Sequence, residues 1–153
     1  MAVTIRQANP ADIPAILRIE HAARSAAHWT AQEYERLVET GFVLLREEDG
    51  TLQGFIAARE IVGEWELENV VVGAAFQRQG IADGLMRALV RHTAGQAAKA
   101  IWLEVRESNL AARALYEKHE FLKTGKRSRY YKDPEEDALT YTFQFGKEPS
   151  HTV

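Results

Sequence analysis

The 153-residue sequence contains no cysteine. It therefore carries no disulfide framework and offers no thiolate to a metal, which suits a reducing cytoplasm. No apolar run approaches the roughly 18 residues that a membrane-spanning helix needs, so no membrane association is expected. The opening segment "MAVTIRQANP" has no apolar core, so no signal peptide is expected. Neither charge sign dominates: 19 Lys+Arg stand against 22 Asp+Glu, a net charge of −3. That balance argues against a general nucleic-acid binder, and no direct nucleic-acid contact is expected. The histidines His21, His28, His92, His119 and His151 show no metal-ligand spacing. They read as surface or helix-face residues, and no metal is expected. Repeats, low-complexity stretches and an interdomain linker are also missing.

What is present is an ordinary globular composition, 46% apolar and 27% charged, enough to build a core without staples. One domain is expected over residues 1–146, with a disordered tail at 147–153. Val3–Ala8 alternates apolar and polar residues and reads as a strand. Asn9, Pro10 and Asp12 then signal a helix start, and an apolar stripe through Ile13, Ile16, Leu17 and Ile19-Glu20 carries that helix to about Ala23. Thr30 and Glu33 form a T-x-x-E capping box for a second helix over Ala31–Glu39. Asp49-Gly50 is the turn signal of a hairpin. Glu64–Val72 is a further strand, and a helix from Ile81 to about Gly95 follows it. Ala100–Val105 is a short strand, with Trp102 and Glu104 facing away from Ile101, Leu103 and Val105. The next helix is capped by Ser108 or Asn109. Two strands close the chain, near Lys123–Tyr130 and Ala138–Phe145. The order β-α-α-β-β-β-α-β-α-β-β predicts an α+β fold with a mixed sheet. The helix between Glu64–Val72 and Ala100–Val105 makes those two strands parallel.

The stretch "QRQGIADGL" (Gln77–Leu85) lies between a strand and a helix. The first amides of a helix have no intrahelical partner, and together with the dipole they favour an anion. Small residues such as Gly80 and Ala82 let a phosphate approach. The pattern is neither a Walker A loop nor G-x-G-x-x-G. By spacing alone, an ordinary strand-to-helix turn explains it better.

Three blocks, "NVVVGAAFQRQGIADGLMRAL", "IWLEVRESNLAARALYEKHEF" and "RSRYYKDPEEDAL", resemble consecutive parts of the GNAT acetyltransferase superfamily. "LEVRESN" followed by "ALY" is the most specific part. Within that superfamily the chain is most similar to the bacterial ribosomal-protein alanine N-acetyltransferases, and "IEHAARSAAHWTAQEYERL", with Trp29, looks like their first two helices. The resemblance implies a GNAT fold: a mostly antiparallel sheet of about seven strands, splayed between the fourth and fifth, flanked by about four helices. It implies acetyl-CoA as co-substrate, with its pyrophosphate on the amides of Arg78, Gln79, Gly80, Ile81, Ala82 and Asp83. The pantetheine arm would pair with Val70, Val71 and Val72, where an amide would polarise the thioester carbonyl. Asn109 would touch the cofactor. Glu104 matches the family's base and Tyr116 its acid. The acceptor so implied is the N-terminal peptide of a small-subunit ribosomal protein, in the cytoplasm. Acetylation of a small-molecule amine or a lysine side chain is the alternative, and a non-catalytic acyl-CoA-binding module a third reading.

Each residue also has a plainer reading. Glu104 could face solvent, Tyr116 could be core, and Asn109 could only cap its helix. Glu68, a rival base, reads better as a charged residue on a wet face beside Glu64 and Glu66. Tyr130-Tyr131 reads equally as part of a peptide groove or as an aromatic cross-strand pair. The basic run Lys118–Lys132 reads as a solvated hairpin. Three positions depart from the family pattern. Ala82 replaces a glycine. Asp83 puts a carboxylate beside the expected pyrophosphate, which is unfavourable unless its side chain turns away. His119-Glu120-Phe121 replaces Leu-Gly-Phe, so a positive φ at Glu120 would cost about 1 kcal/mol.

Overall fold

The helices begin where their capping residues put them. The computed structural model describes residues 2–23 and 26–146; the expected tail at 147–153, with His151, lies outside the described residues. After strand β1 (Val3–Gln7), the Asn9 side chain accepts from the Ala11 amide at 3.0 Å, and Asp12 accepts from the Asn9 amide at 2.8 Å. A single 3-10 turn then leads into α1 (Ile13–Ala22). Helix α2 (Ala31–Thr40) carries both halves of the Thr30/Glu33 capping box, at 3.1 and 3.3 Å. Helix α4 (Leu110–Lys118) is capped by Asn109, which accepts from Ala112 at 3.1 Å, so Asn109 rather than Ser108 is the cap. Helix α3 (Ile81–Gly95), like α1 itself, has no side-chain cap of its own. It starts from Gly80 at φ 76°.

Strands β2 (Phe42–Glu48) and β3 (Thr51–Ile61) form the expected hairpin. Its turn residues Asp49 and Gly50 are both left-handed, as a tight two-residue hairpin requires. They are followed by β4 (Glu64–Val72), β5 (Ala100–Arg106), β6 (Leu122–Tyr131) and β7 (Glu136–Gln144). The strands make one sheet in the order β1-β2-β3-β4-β5-β7-β6. Among the described residues, only the β4–β5 pairing is parallel. The crossover helix α3 lies on one face, where Ile81, Leu85 and Leu89 pack with Ile101, Leu103 and Tyr116 of α4. Helices α1 and α2 cover the other face, with Ile16, Tyr34 and Leu37 against Val43, Leu45 and Phe55. Burial of each such aliphatic side chain stabilises by about 1.5–3 kcal/mol.

Strand β4 is irregular along both of its edges. On one side it pairs with β5 only at Glu64–Ala100, Trp65–Ile101 and Glu66–Trp102; beyond that the strands part. On the other, the β3 register slips so that Ala58 faces Leu67 and Ala57 faces Asn69, leaving Glu68 as a bulge. Trp65 and Leu67 therefore belong to the α3-side core, whereas Val71 belongs to the α1–α2 core. The turn after α4 does take a positive φ. Glu120 has φ 68°, and the Phe121 amide donates back to the Tyr116 carbonyl at 3.0 Å. Glycine is the usual residue there, so Glu120 costs about 1 kcal/mol. No helix among the described residues is long and apolar enough to cross a membrane.

Candidate active site

Where β4 and β5 part, a cavity of about 700 Å³ opens, within the range of ligand clefts. Of the residues singled out in the sequence, Val70, Val71 and Val72 of β4, the turn residues Arg78 and Gly80, and Ile81, Ala82 and Asp83 of α3 line it. Glu104 of β5, Asn109 and Tyr116 line it as well. Gln79 does not, though it belongs to the same turn. One wall is the α1–α2 linker, through Ala26, Ala27 and His28, and another includes Tyr131.

The turn into α3 offers a row of unused donors. Among the described residues, no backbone amide from Arg78 to Asp83 donates a hydrogen bond; the first amide that does is Gly84, to the Gly80 carbonyl. Six consecutive free amides at a helix N-terminus suit an anion of several oxygens. Glycine is favoured at position 80 by its left-handed backbone rather than by crowding, since a Cβ there would meet nothing within 4 Å. Asp83, the acid that seemed unfavourable beside a phosphate, is turned away and neutralised. Its carboxylate accepts from Lys118 at 2.8 Å and lies 2.9 Å from His119 Nε2. Those two hydrogen bonds, Lys118 first, hold its pKa below the usual carboxylate range. The same contacts tie the start of α3 to the end of α4.

Glu104 is only 13% exposed, and its Oε2 is buried without a hydrogen-bond partner among the described residues. The Arg127 guanidinium pairs with it, Nε lying 3.4 Å away. Burial raises the Glu104 pKa, Arg127 pulls it down, and Glu66 adds a smaller upward push. The Tyr116 phenol is buried, which raises its pKa and keeps it protonated. No hydrogen bond of its hydroxyl is seen among the described residues, and the side chain lines the cavity. Tyr116 is thus both core and cavity wall.

Glu68 departs from the sequence reading. It is no wet-face residue: the bulge buries it to 6% exposure, where it accepts from Arg59 at 2.7 Å and lines the cavity. Desolvation, then the neighbouring Glu66, pushes its pKa up to about 7, against the opposing pull of Arg59. Nothing in the alternation of "EWELENVVV" marks the slip. Tyr130 and Tyr131 meet edge to face at 5.1 Å, and Tyr131 alone of the two lines the cavity. Burial pushes the Tyr131 pKa up to about 12. In the basic run, Lys126 pairs with Asp137 at 3.2 Å and Arg129 with Glu135 at 3.1 Å. β6 is otherwise exposed, as a solvated hairpin requires.

A split parallel pair in an otherwise antiparallel sheet opens one cavity lined by the turn into α3 and by a buried carboxylate. Residues 12–121 match the acetyltransferase (GNAT) family, and the chain belongs to it. It is an acetyl-CoA-dependent N-acetyltransferase. The chain is similar to the [ribosomal protein bS18]-alanine N-acetyltransferase of Escherichia coli K12, 31% identical over 139 residues, covering 89% of this chain and 93% of that protein. The crystal structure of the ribosomal-protein-S18-alanine N-acetyltransferase from Escherichia coli superposes with TM-score 0.85 at 28% identity, over 99% of both chains. Ard1 from Thermoplasma volcanium superposes with TM-score 0.86 at 26% identity, over 94% of this chain and 98% of that one.

Proposed function

We propose that this protein acetylates the α-amine of an N-terminal alanine on a small-subunit ribosomal protein in the cytoplasm, and that it does so in the cavity between β4 and β5. One observation carries the reading: the buried Glu104 oxygen, without a hydrogen bond among the described residues, shares that cavity with the free amide row of Arg78–Asp83. The acceptor is inferred from the likeness to the Escherichia coli enzyme across nearly the whole length of both chains.

The residues fit the co-substrate. The amides of Arg78, Gln79, Gly80, Ile81, Ala82 and Asp83 would hold the pyrophosphate, with Asn109 beside it. The β4 edge at Val70–Val72, free on its β5 side, would pair with the pantetheine arm. An amide of that edge would polarise the thioester carbonyl. Acetyl-CoA, when bound, supplies the thioester that the amine attacks. Glu104 accepts the proton that the acceptor ammonium must lose, and Tyr116 holds a proton for the departing sulfur. Glu68 supports a second reading of the base, because it is buried, lines the same cavity and titrates near neutrality.

Gly80→Val is expected to raise the acetyl-CoA KM on the order of tenfold, the equivalent of about one charge-assisted hydrogen bond, with kcat little changed. Initial-rate kinetics at varied acetyl-CoA read this directly, and an unaltered KM would remove the turn from the cofactor site. The function itself is tested by assaying acetyl-CoA with a panel of N-terminal peptides and free amines. Turnover of alanine-initial peptides supports the proposal. Turnover of a small amine without turnover of any such peptide rejects it.

A further inference from the structure

Glu20 is a carboxylate with no exposed surface, on the apolar stripe of α1. A buried charge is costly, and an aliphatic residue of similar volume in its place is often neutral or stabilising. Its partners indicate what it does instead. The Tyr34 hydroxyl of α2 donates to Glu20, the Trp29 amide donates to it at 3.1 Å, and His28 Nδ1 lies 3.2 Å away. Tyr34 Oη in turn accepts from Asn69 Nδ2 at 3.2 Å, and the same nitrogen donates to the Ala27 carbonyl at 2.8 Å. Asn69 is itself buried, and sits on β4 next to the bulged Glu68. The chain of hydrogen bonds thus starts on the α1–α2 linker at Ala27, passes through Asn69, Tyr34 and Glu20, and returns to the linker at Trp29.

Besides this network, the described part of the linker is held chiefly by Trp29 and Ala26, which pack against the α1–α2 core. The segment facing the cavity is Ala26, Ala27 and His28. Alanines bury little area, and each methyl contributes only about 0.8 kcal/mol. The segment's one backbone bond of its own among the described residues is Ala26 to the Ala23 carbonyl, at 3.4 Å. The linker stands on the α1–α2 side of the cavity, whereas the free amides lie at the α3 end.

We infer that Glu20, Tyr34 and Asn69 are positioning residues that fix the linker as the acceptor-side wall of the cavity, so that they govern binding of the acceptor peptide and not of acetyl-CoA. The inference rests on the proposed peptide acceptor, but its structural half can be read without one. The two variants are Tyr34→Phe, which keeps the ring packed edge-on against Phe55 at 5.8 Å, and Asn69→Ala. In the full-length protein both are expected to raise the alanine-peptide KM about tenfold. Calorimetric acetyl-CoA affinity should stay within about twofold. Amide hydrogen exchange of residues 26–30 should speed up about tenfold, while exchange in α3 stays unchanged. A fall in acetyl-CoA affinity matching the fall in peptide affinity would make the network merely structural and overturn the inference, as would unchanged exchange in the linker. Should the wild type fail to acetylate any alanine-initial peptide, the acceptor assignment fails, and the exchange and calorimetry arms still decide the network. Should Asn69→Ala not fold, Tyr34→Phe decides alone.

Discussion

Glu104→Gln is expected to lower kcat on an alanine-initial peptide by roughly 10²–10⁴-fold, the usual weight of a general base. The amide keeps the shape of the carboxylate but cannot take a proton. Its neighbours give the result a pH signature. Glu104 acts only as a carboxylate, so kcat/KM falls as pH drops through its pKa. Burial and Glu66 raise that pKa, and Arg127 lowers it. Arg127→Gln removes the lowering influence, so the acidic limb of the wild-type profile should move to higher pH. Glu68→Gln is the control, and should change kcat only a few-fold. If the order is reversed, with Glu68→Gln crippling and Glu104→Gln mild, then the bulge residue is the base and the acidic limb should lie near pH 7.

The second large effect is expected from Tyr116→Phe, a loss of about 10²-fold in kcat at nearly unchanged acetyl-CoA KM. The substitution leaves the ring in place against Phe121 at 6.1 Å and Tyr141 at 6.2 Å. No hydrogen bond of the hydroxyl is seen among the described residues, so its removal strands no donor. Stability should therefore change by no more than about 1 kcal/mol, or about 2–4 °C in Tm at this chain length. Thermal unfolding and steady-state kinetics on the same preparation separate the two roles. A Tm loss well beyond that range with kcat retained would make Tyr116 a packing residue only.

Much of the fold and site was legible along the chain, for local reasons. Asn9 with Asp12, Thr30 with Glu33, Asp49-Gly50 and Asn109 each mark an end or a turn through bonds within a few residues. Gly80 and Ala82 mark the turn that leaves the amides free. What was not legible depends on partners distant in sequence. The residue types of β4 and β5 do not reveal that their pairing stops at Glu66–Trp102. The slip at Glu68 converts a strand that alternates regularly in sequence into one that changes face halfway. Asp83 looked hostile to a phosphate because Lys118 and His119, its neutralising partners, lie a helix and a strand further on. Glu20 did leave a trace: a charge at a core phase of α1, four residues after Ile16, is a signal that a buried network awaits it.

Transfer to an α-amine beside Glu104 is the central claim, and one substrate tests it most directly. An alanine-initial peptide with one internal lysine is incubated with acetyl-CoA and the enzyme, and the acetyl group is located by fragmentation mass spectrometry. The expected result is acetylation at the alanine nitrogen alone, abolished by Glu104→Gln. Acetylation at the lysine instead, or α-acetylation that survives Glu104→Gln undiminished, would contradict it.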